Sequence, residues 1–151
     1  MKTEFHTKNF ALHEFTKSNK ANELNISNEV TTIEQLTAIA NLTANVLQPA
    51  RDIVGFPMTI TSGFRCDELN EEVGGVDNSQ HEKGEAADIQ CFTDGKLDIP
   101  KMRQLFAVLS EMDVDQLLYE RDSKGSIWVH VSYVSPKENR HMIRDNYIAN
   151  R

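Results

Sequence analysis

The stretch that organises this chain is residues 79–88, which read SQHEKGEAAD. Gly84 permits a sharp turn after His81, because glycine adopts backbone angles that other residues avoid. The alanines after the turn begin a predicted strand over residues 86–92, and this strand carries Asp88 inward. The pattern therefore predicts a histidine and a carboxylate that a turn and a strand bring together.

A third donor, His130, follows in the sequence WVH at residues 128–130. Together with His81 and Asp88 it supplies two imidazoles and one carboxylate. Zinc takes nitrogen and oxygen ligands at about 2.0 to 2.2 Å, and a catalytic zinc site uses three protein ligands so that a fourth position stays open to water. One anionic ligand leaves such a site at about +1, which helps to lower the pKa of the water toward roughly 7. We therefore predict a zinc cofactor held by these three side chains.

The motif of the helical metalloproteases is excluded. Residues 81–85, HEKGE, begin like the H-E-x-x-H motif of those enzymes. The fifth position is Glu85, where that motif requires histidine, and Gly84 would weaken the helix that it needs.

The rest of the chain predicts helices first and then the strands that carry the site. Apolar residues at helical spacing, alternating residues and turn formers define the elements. Predicted helices cover residues 28–50, with Asn28 as a possible cap, residues 67–73, ending at Gly74 and Gly75, and a segment that Pro100 opens; predicted strands cover 58–64, 86–92, 114–120 and 127–134. The order predicts an α+β fold whose mainly antiparallel sheet is covered by helices on one face.

Residues 79–88 resemble the S-x-H-x-x-G-x-A-x-D signature of the M15-type zinc D-Ala-D-Ala peptidases without a gap. Residues 62–75, SGFRCDELNEEVGG, are similar to a second segment of that family, and WVHVSY at 128–133 is similar to its third-ligand strand. The likeness extends from about residue 10 to residue 140, and the opening segments at 10–15 and 47–51 are similar to the compact, single-domain branch often found in phages and bacteria. It implies a fold like that of the hedgehog amino-terminal domain and the DD-peptidases.

The resemblance implies roles for particular residues. His81, Asp88 and His130 match the zinc ligands, Arg65 matches an arginine that holds a substrate oxygen or carboxylate, and a glutamate is the general base. It implies a zinc-dependent hydrolase of peptide bonds in bacterial peptidoglycan, either a D-Ala-D-Ala carboxypeptidase or a cell-wall endopeptidase, with stem peptides as its partners. The alternative function is a zinc-stabilised binding or structural module with little or no hydrolysis.

The general base does not stand where several members of the family place it. Several members of the family place it three residues before the last ligand, but that position here is Ile127. Glu120 is the next candidate, since it ends a strand that a hairpin loop joins to the strand of His130. The two side chains share a face if Leu118 pairs with His130, because a slip of one residue would reverse every side chain. A bulge could also produce that alignment.

Three side chains are predicted to bind substrate: Arg65, Ser79 and Trp128. Three of the proposed functional residues also have a purely structural interpretation. Arg65 could pair with a carboxylate such as Asp67, Glu120 could be a solvated hairpin residue, and Trp128 could be an aromatic of the core or of the cleft wall.

Composition limits the function further. The chain has 151 residues, 39% of them hydrophobic, and a net charge of -7. We expect one domain over residues 1–151, with a helical part at about 10–50 and a metal-site core at about 57–134. The acidic balance argues against nucleic acid, and no apolar run reaches the roughly 20 residues of a membrane span. Residues 1–6 lack a secretory signal, so we expect a protein that is cytoplasmic at synthesis and acts on the wall if released or delivered. We also expect it to be a monomer.

Overall fold

The computed structural model describes residues 5–149. Its helices are α1 (Leu12–Thr16), α2 (Asn19–Glu23), α3 (Ile33–Leu42), α4 (Gln48–Val54), α5 (Asp67–Glu72), α6 (Gln80–Lys83) and α7 (Ile99–Ser110), and a π-helical turn, Thr43–Leu47, joins α3 to α4. Its strands are β1 (Thr59–Ser62), β2 (Ala86–Gln90), β3 (Phe92–Thr93), β4 (Lys96–Leu97), β5 (Gln116–Arg121), β6 (Ile127–Ser132) and β7 (Met142–Ile148).

Five of the strands form one sheet in the order β1-β2-β6-β5-β7. The pairs β1/β2, β2/β6 and β5/β6 are antiparallel, and only β7 runs parallel to its neighbour β5. Strands β3 and β4 form a separate small hairpin. The prediction of an α+β fold with a mainly antiparallel sheet is therefore confirmed.

One face of this sheet packs against helices. Alternate residues of a strand point to opposite faces, and those on this face are apolar. The core combines Ile89, Leu117, Tyr119, Val129 and Val131 from the sheet with Leu42, Leu47, Met102, Leu105 and Leu109 from α3, the π-helical turn and α7. Each large apolar side chain buried in this way contributes roughly 1.5 to 3 kcal/mol. The polar residues of β2, β5 and β6 lie on the opposite face of the sheet.

The first long helix begins later than the sequence predicted. Thr32 caps α3, because its hydroxyl accepts a hydrogen bond from the Gln35 backbone at 3.1 Å and the Gln35 side chain accepts one from the Thr32 backbone at 3.2 Å. The prediction that Asn28 is the cap was wrong. The buried Asn28 side chain instead donates to the carbonyl of Phe64 at 2.9 Å and accepts from the backbone of Cys66 at 2.7 Å, so it holds the segment around Arg65.

The other predicted elements are present with ends that differ by one or two residues, as is usual at frayed termini. Strand β7 was not predicted. Its residues are mostly exposed, because it lies at the edge of the sheet, so its sequence carries little of the alternation that marks a half-buried strand.

Within residues 5–149, every helix is too short or too polar to cross a lipid bilayer. The expectation about a secretory signal concerns a segment whose first four residues lie outside the described part of the chain.

Candidate metal centre and active site

His81 is positioned by the short helix α6. The hydroxyl of Ser79 accepts a hydrogen bond from the His81 backbone at 3.2 Å and so caps the start of the helix. Gly84 ends it with a φ of 79°. A Cβ atom on Gly84 would lie 2.6 Å from the carbonyl oxygen of Gln35 in α3. The turn after α6 packs directly on α3 and therefore requires glycine at this position.

Asp88 and His130 are positioned by strand register. Asp88 pairs with His130 across β2 and β6, and His130 pairs with Leu118 across β6 and β5. Directly paired residues point to the same face of a sheet, so both donors lie on the face away from the helices. His81 comes to them from α6, which contacts the start of β2.

The three donors converge. His130 Nδ1 lies 2.8 Å from Asp88 Oδ1, and His81 Nε2 lies 3.4 Å from the same oxygen. All three side chains are buried, and their ligand atoms lie within 4.8 Å of one another. The structure therefore brings the three predicted zinc ligands into one group.

The chemistry of this group fits a metal ion. His81 Nδ1 lies 2.7 Å from the carbonyl oxygen of Gly63, which can only accept a hydrogen bond, so Nδ1 carries the proton. The lone pair of His81 Nε2 is then directed at the Asp88 carboxylate, whose Oδ1 lies 3.4 Å away, and no group within residues 5–149 donates a hydrogen bond to this buried nitrogen. A metal ion would satisfy it, and the backbone contact at Nδ1 is the kind that orients histidine ligands.

The electrostatics favour the protonation states that bind metal. Burial lowers the pKa of His81 below its ordinary value, although Asp88 acts in the opposite direction. Burial alone would raise the pKa of Asp88, but favourable electrostatic interactions with His81 and His130, including the hydrogen bond with His130, hold that pKa well below its usual range. At neutral pH the pair is therefore a neutral imidazole and a carboxylate anion, which are the ligand forms of these groups.

Glu120 lies beside this group. It pairs with Trp128 in the register that also pairs Leu118 with His130, and its Oε1 atom is 3.8 Å from His130 Nδ1. Its side chain is buried, yet it lines a cavity of about 620 Å³ together with His81 and His130. The predicted pairing of these strands is therefore observed.

Arg65 lies on the same cavity. Its backbone nitrogen donates to the carbonyl of His81 at 3.1 Å, and its charge contributes to the lowered pKa of His81. The side chain is 4% exposed and lines the cavity wall. A fixed cation is therefore present next to the candidate metal group.

The other two predicted substrate-binding residues occupy different places. Ser79 lines the cavity of Glu120 while its hydroxyl caps α6. Trp128 lines a second cavity of about 380 Å³, to which Asp88 also contributes. The metal group thus lies between two depressions, and only one of them contains Glu120 and Arg65.

Comparison with known proteins identifies the family. Residues 8–132 match the family described as Peptidase M15. The chain belongs to the peptidase M15 family. No sequence match was found among curated proteins. M15 peptidases are zinc-dependent metallopeptidases, and in this M15 domain the group of His81, Asp88 and His130 could hold the ion.

The M15 cavity also contains a polar network that the sequence reading missed. The carboxylate of Asp115, which is 1% exposed, accepts hydrogen bonds from Gln80 Nε2 at 2.9 Å, from Arg140 Nε at 2.9 Å and from Arg140 Nη2 at 2.8 Å. These bonds, mainly those from Arg140, lower the pKa of Asp115 to about 2. In the sequence, the indication of this network was an aspartate, Asp115, within the predicted strand at 114–120. Arg140 lies beyond residue 132, where the match to the family ends, and no pattern in the sequence indicates its role.

Proposed function

We propose that this M15 protein hydrolyses peptide bonds in bacterial peptidoglycan, as a D-Ala-D-Ala carboxypeptidase or a cell-wall endopeptidase. One observation carries the proposal: His81, His130, Glu120 and Arg65 line one cavity, and Asp88 contacts both histidines. This combination supplies a place for a metal, a carboxylate base and a fixed cation, which together suit amide hydrolysis.

His81, Asp88 and His130 would hold the zinc ion through Nε2, Oδ1 and Nδ1. When bound, zinc supplies a Lewis acid that polarises a carbonyl group and makes water a stronger acid. The backbone contact of His81 with Gly63 keeps its donor atom turned toward the other two ligands.

Glu120 moves the proton in this proposal. Its Oε1 atom, 3.8 Å from His130 Nδ1, accepts a proton from a water molecule in the cavity and returns it to the leaving amine. No covalent intermediate with the protein forms, because the nucleophile is the water molecule that Glu120 deprotonates.

Arg65 binds an oxygen of the substrate. Its buried guanidinium stabilises either the developing oxyanion or a terminal carboxylate of the peptide. Because the position of Arg65 is fixed before the substrate arrives, little reorganisation is needed during the reaction.

The assignment of the substrate to wall peptides is supported by the family-like segments at residues 62–75, 79–88 and 128–133. A cavity of about 620 Å³ falls within the range that accommodates a small organic ligand or a short peptide. We further propose that the protein works as a monomer, after it is released or delivered to the wall.

Digestion of purified peptidoglycan tests this function. The zinc-loaded protein is incubated with wall material, and the new amino and carboxyl ends are assigned by mass spectrometry. We expect release of D-alanine or of defined stem-peptide fragments, and no release by Asp88→Ala. If the zinc-loaded protein releases nothing from any wall peptide, the alternative of a zinc-stabilised binding module is favoured.

A further inference from the structure

Arg140 is held in a defined orientation at the cavity wall. Its Nε and Nη2 atoms donate to the two oxygens of Asp115 at 2.9 and 2.8 Å, and its backbone nitrogen donates to the same carboxylate at 3.0 Å. A guanidinium bound by two parallel bonds cannot rotate freely, so its remaining donors have fixed directions. The anchor is rigid as well, because Asp115 is almost fully buried and also accepts from Gln80.

Part of this guanidinium remains available. The hydrogen bonds of Arg140 use Nε and Nη2, whereas Nη1 has no partner among residues 5–149. The Arg140 side chain is 54% exposed, while that of Asp115 is 2% exposed. One edge of the guanidinium therefore binds the protein, and Nη1 can still donate to a ligand.

Arg140 and Arg65 line the same cavity and interact with different residues of it. Arg65 lies close enough to His81 to affect its pKa, whereas Arg140 contacts the buried carboxylate of Asp115. The wall also carries Glu85 and Glu138, so it has no general positive field. An anion would be recognised there by directed hydrogen bonds to Arg140 and not by attraction over a distance.

We propose that Arg140 binds a free carboxylate of the substrate peptide, at a position remote from the bond that is cleaved. This inference rests on the proposed function, and it adds a specificity-determining residue from the segment after residue 132, outside the part matched to the family. The ligand is an acidic peptide, and the carboxylate accepts hydrogen bonds from the outer part of the guanidinium.

Paired peptides test the inference. Each pair consists of a stem-peptide fragment with a free carboxylate away from the cleaved bond and the same fragment with that carboxylate converted to a primary amide. For one such pair we expect the wild-type protein to favour the free carboxylate by about 10-fold or more in kcat/KM, mainly through KM, because a hydrogen bond to a charged group is lost in the amide. In Arg140→Gln we expect this preference to fall to about 1.

The control variant is Arg144→Gln. Arg144 is an exposed arginine of β7 whose side chain donates to the neighbouring carbonyl of Ile143, and the wild-type preference should persist in Arg144→Gln. If Arg140→Gln is poorly folded, Arg140→Lys keeps the charge and loses the planar fork, and the preference should fall in part. An unchanged preference in the Arg140 variants, an equal loss for both peptides of every pair, or no wild-type preference in any pair would overturn the inference.

Binding separates this inference from the proposed function. If the wild-type protein cleaves none of the peptides, the proposed function has failed, and calorimetric titration with the same pairs still tests Arg140. Binding of the free-carboxylate peptide that weakens by about 10-fold or more in Arg140→Gln, while binding of the amide stays constant, would support the inference. Equal binding of the two peptides, or no binding of either, would overturn it.

Discussion

Glu120 Oε1 lies 3.8 Å from His130 Nδ1, on the face of the sheet that carries Asp88 and His130. The relationship follows from register, because Glu120 pairs with Trp128 and Leu118 pairs with His130. A slip of one residue would move the carboxylate to the helix-covered face, among apolar side chains. The pairing of two strands therefore decides whether a carboxylate can act beside the metal group.

Glu120→Gln tests this carboxylate. The change keeps the size of the side chain but removes the proton acceptor, so we expect zinc content and fold to persist while turnover falls by roughly 10² to 10⁴. Rates are measured on wall peptides at matched zinc content. Glu138→Gln, an exposed residue of the same cavity, serves as the control and should remain active. Wild-type rates in Glu120→Gln would show that Glu120 is not the general base and that another carboxylate, such as Glu85, should be tested.

The ligand set predicts metal content. The wild-type protein should carry about one zinc ion, and His81→Ala, Asp88→Ala and His130→Ala should each lower occupancy sharply, because a three-ligand site cannot spare a donor. Elemental analysis of the purified proteins measures this. His13→Ala, at an exposed histidine, should retain its zinc. Unchanged metal in all three ligand variants would contradict the site.

Arg65→Lys separates a directed contact from a diffuse charge. Lysine keeps the charge but loses the planar fork that binds two oxygens, so hydrolysis should fall while zinc stays bound. Steady-state rates and metal content are compared with those of Arg51→Lys, a change in α4 outside the cavity. Full activity of Arg65→Lys would make Arg65 a structural residue.

Gly84 and Gly95 form a matched pair for stability. Both have positive φ angles, 79° and 74°, but a Cβ atom on Gly84 would meet Gln35 at 2.6 Å, whereas one on Gly95 has nothing within 4 Å. Gly95→Ala should cost about 1 kcal/mol of unfolding free energy. Gly84→Ala should cost roughly 1 to 3 kcal/mol more, because the clash adds to the backbone strain. Denaturant unfolding measures the free energy of unfolding of both variants. Equal decreases in the two variants would contradict the prediction, because they would show that α3 moves to accommodate the new Cβ atom without loss of stability.

Asp115 makes stability depend on pH. Its folded pKa is lowered to about 2, so its contribution is fully present above its unfolded pKa of about 3.9 and is lost as pH falls from there through 2. The shift corresponds to about 1 to 2 kcal/mol after an allowance for solvent around Arg140. Asp115→Asn should therefore be less stable than wild type at pH 6, with roughly half of that difference remaining at pH 3.

Urea unfolding at the two pH values measures this effect. The control is Asp113→Asn, which replaces an exposed aspartate two residues earlier. Its stability should follow that of the wild-type protein at both pH values. A difference between Asp115→Asn and wild type that is the same at pH 6 and pH 3 would contradict the assignment.

The sequence predicted the parts of the site that depend on short-range pattern. The turn at Gly84 and the alternation along the strands of Asp88 and His130 follow from local chemistry, so their positions could be predicted. Asn28 could not, because it resembles a helix cap and its partners, Phe64 and Cys66, are far away in the sequence.

Arg140 was missed for a related reason. It precedes an edge strand whose exposed residues show little periodicity, and its role depends on Asp115, a partner 25 residues earlier. An ion pair between distant segments leaves no regular spacing in a single sequence. The local motif thus predicts the metal group, while the composition of the cavity wall depends on tertiary contacts.

Asp88 and His130 lie on β2 and β6, which are interior strands with a hydrogen-bonded neighbour on each side. Backbone amides in such strands exchange with solvent mainly through unfolding of the whole molecule. We therefore expect a chelator that removes a bound zinc ion to leave the ligand side chains in place, in contrast to small zinc domains that unfold without their metal. Inactivation by chelation should then be reversed by readdition of zinc, without any refolding step.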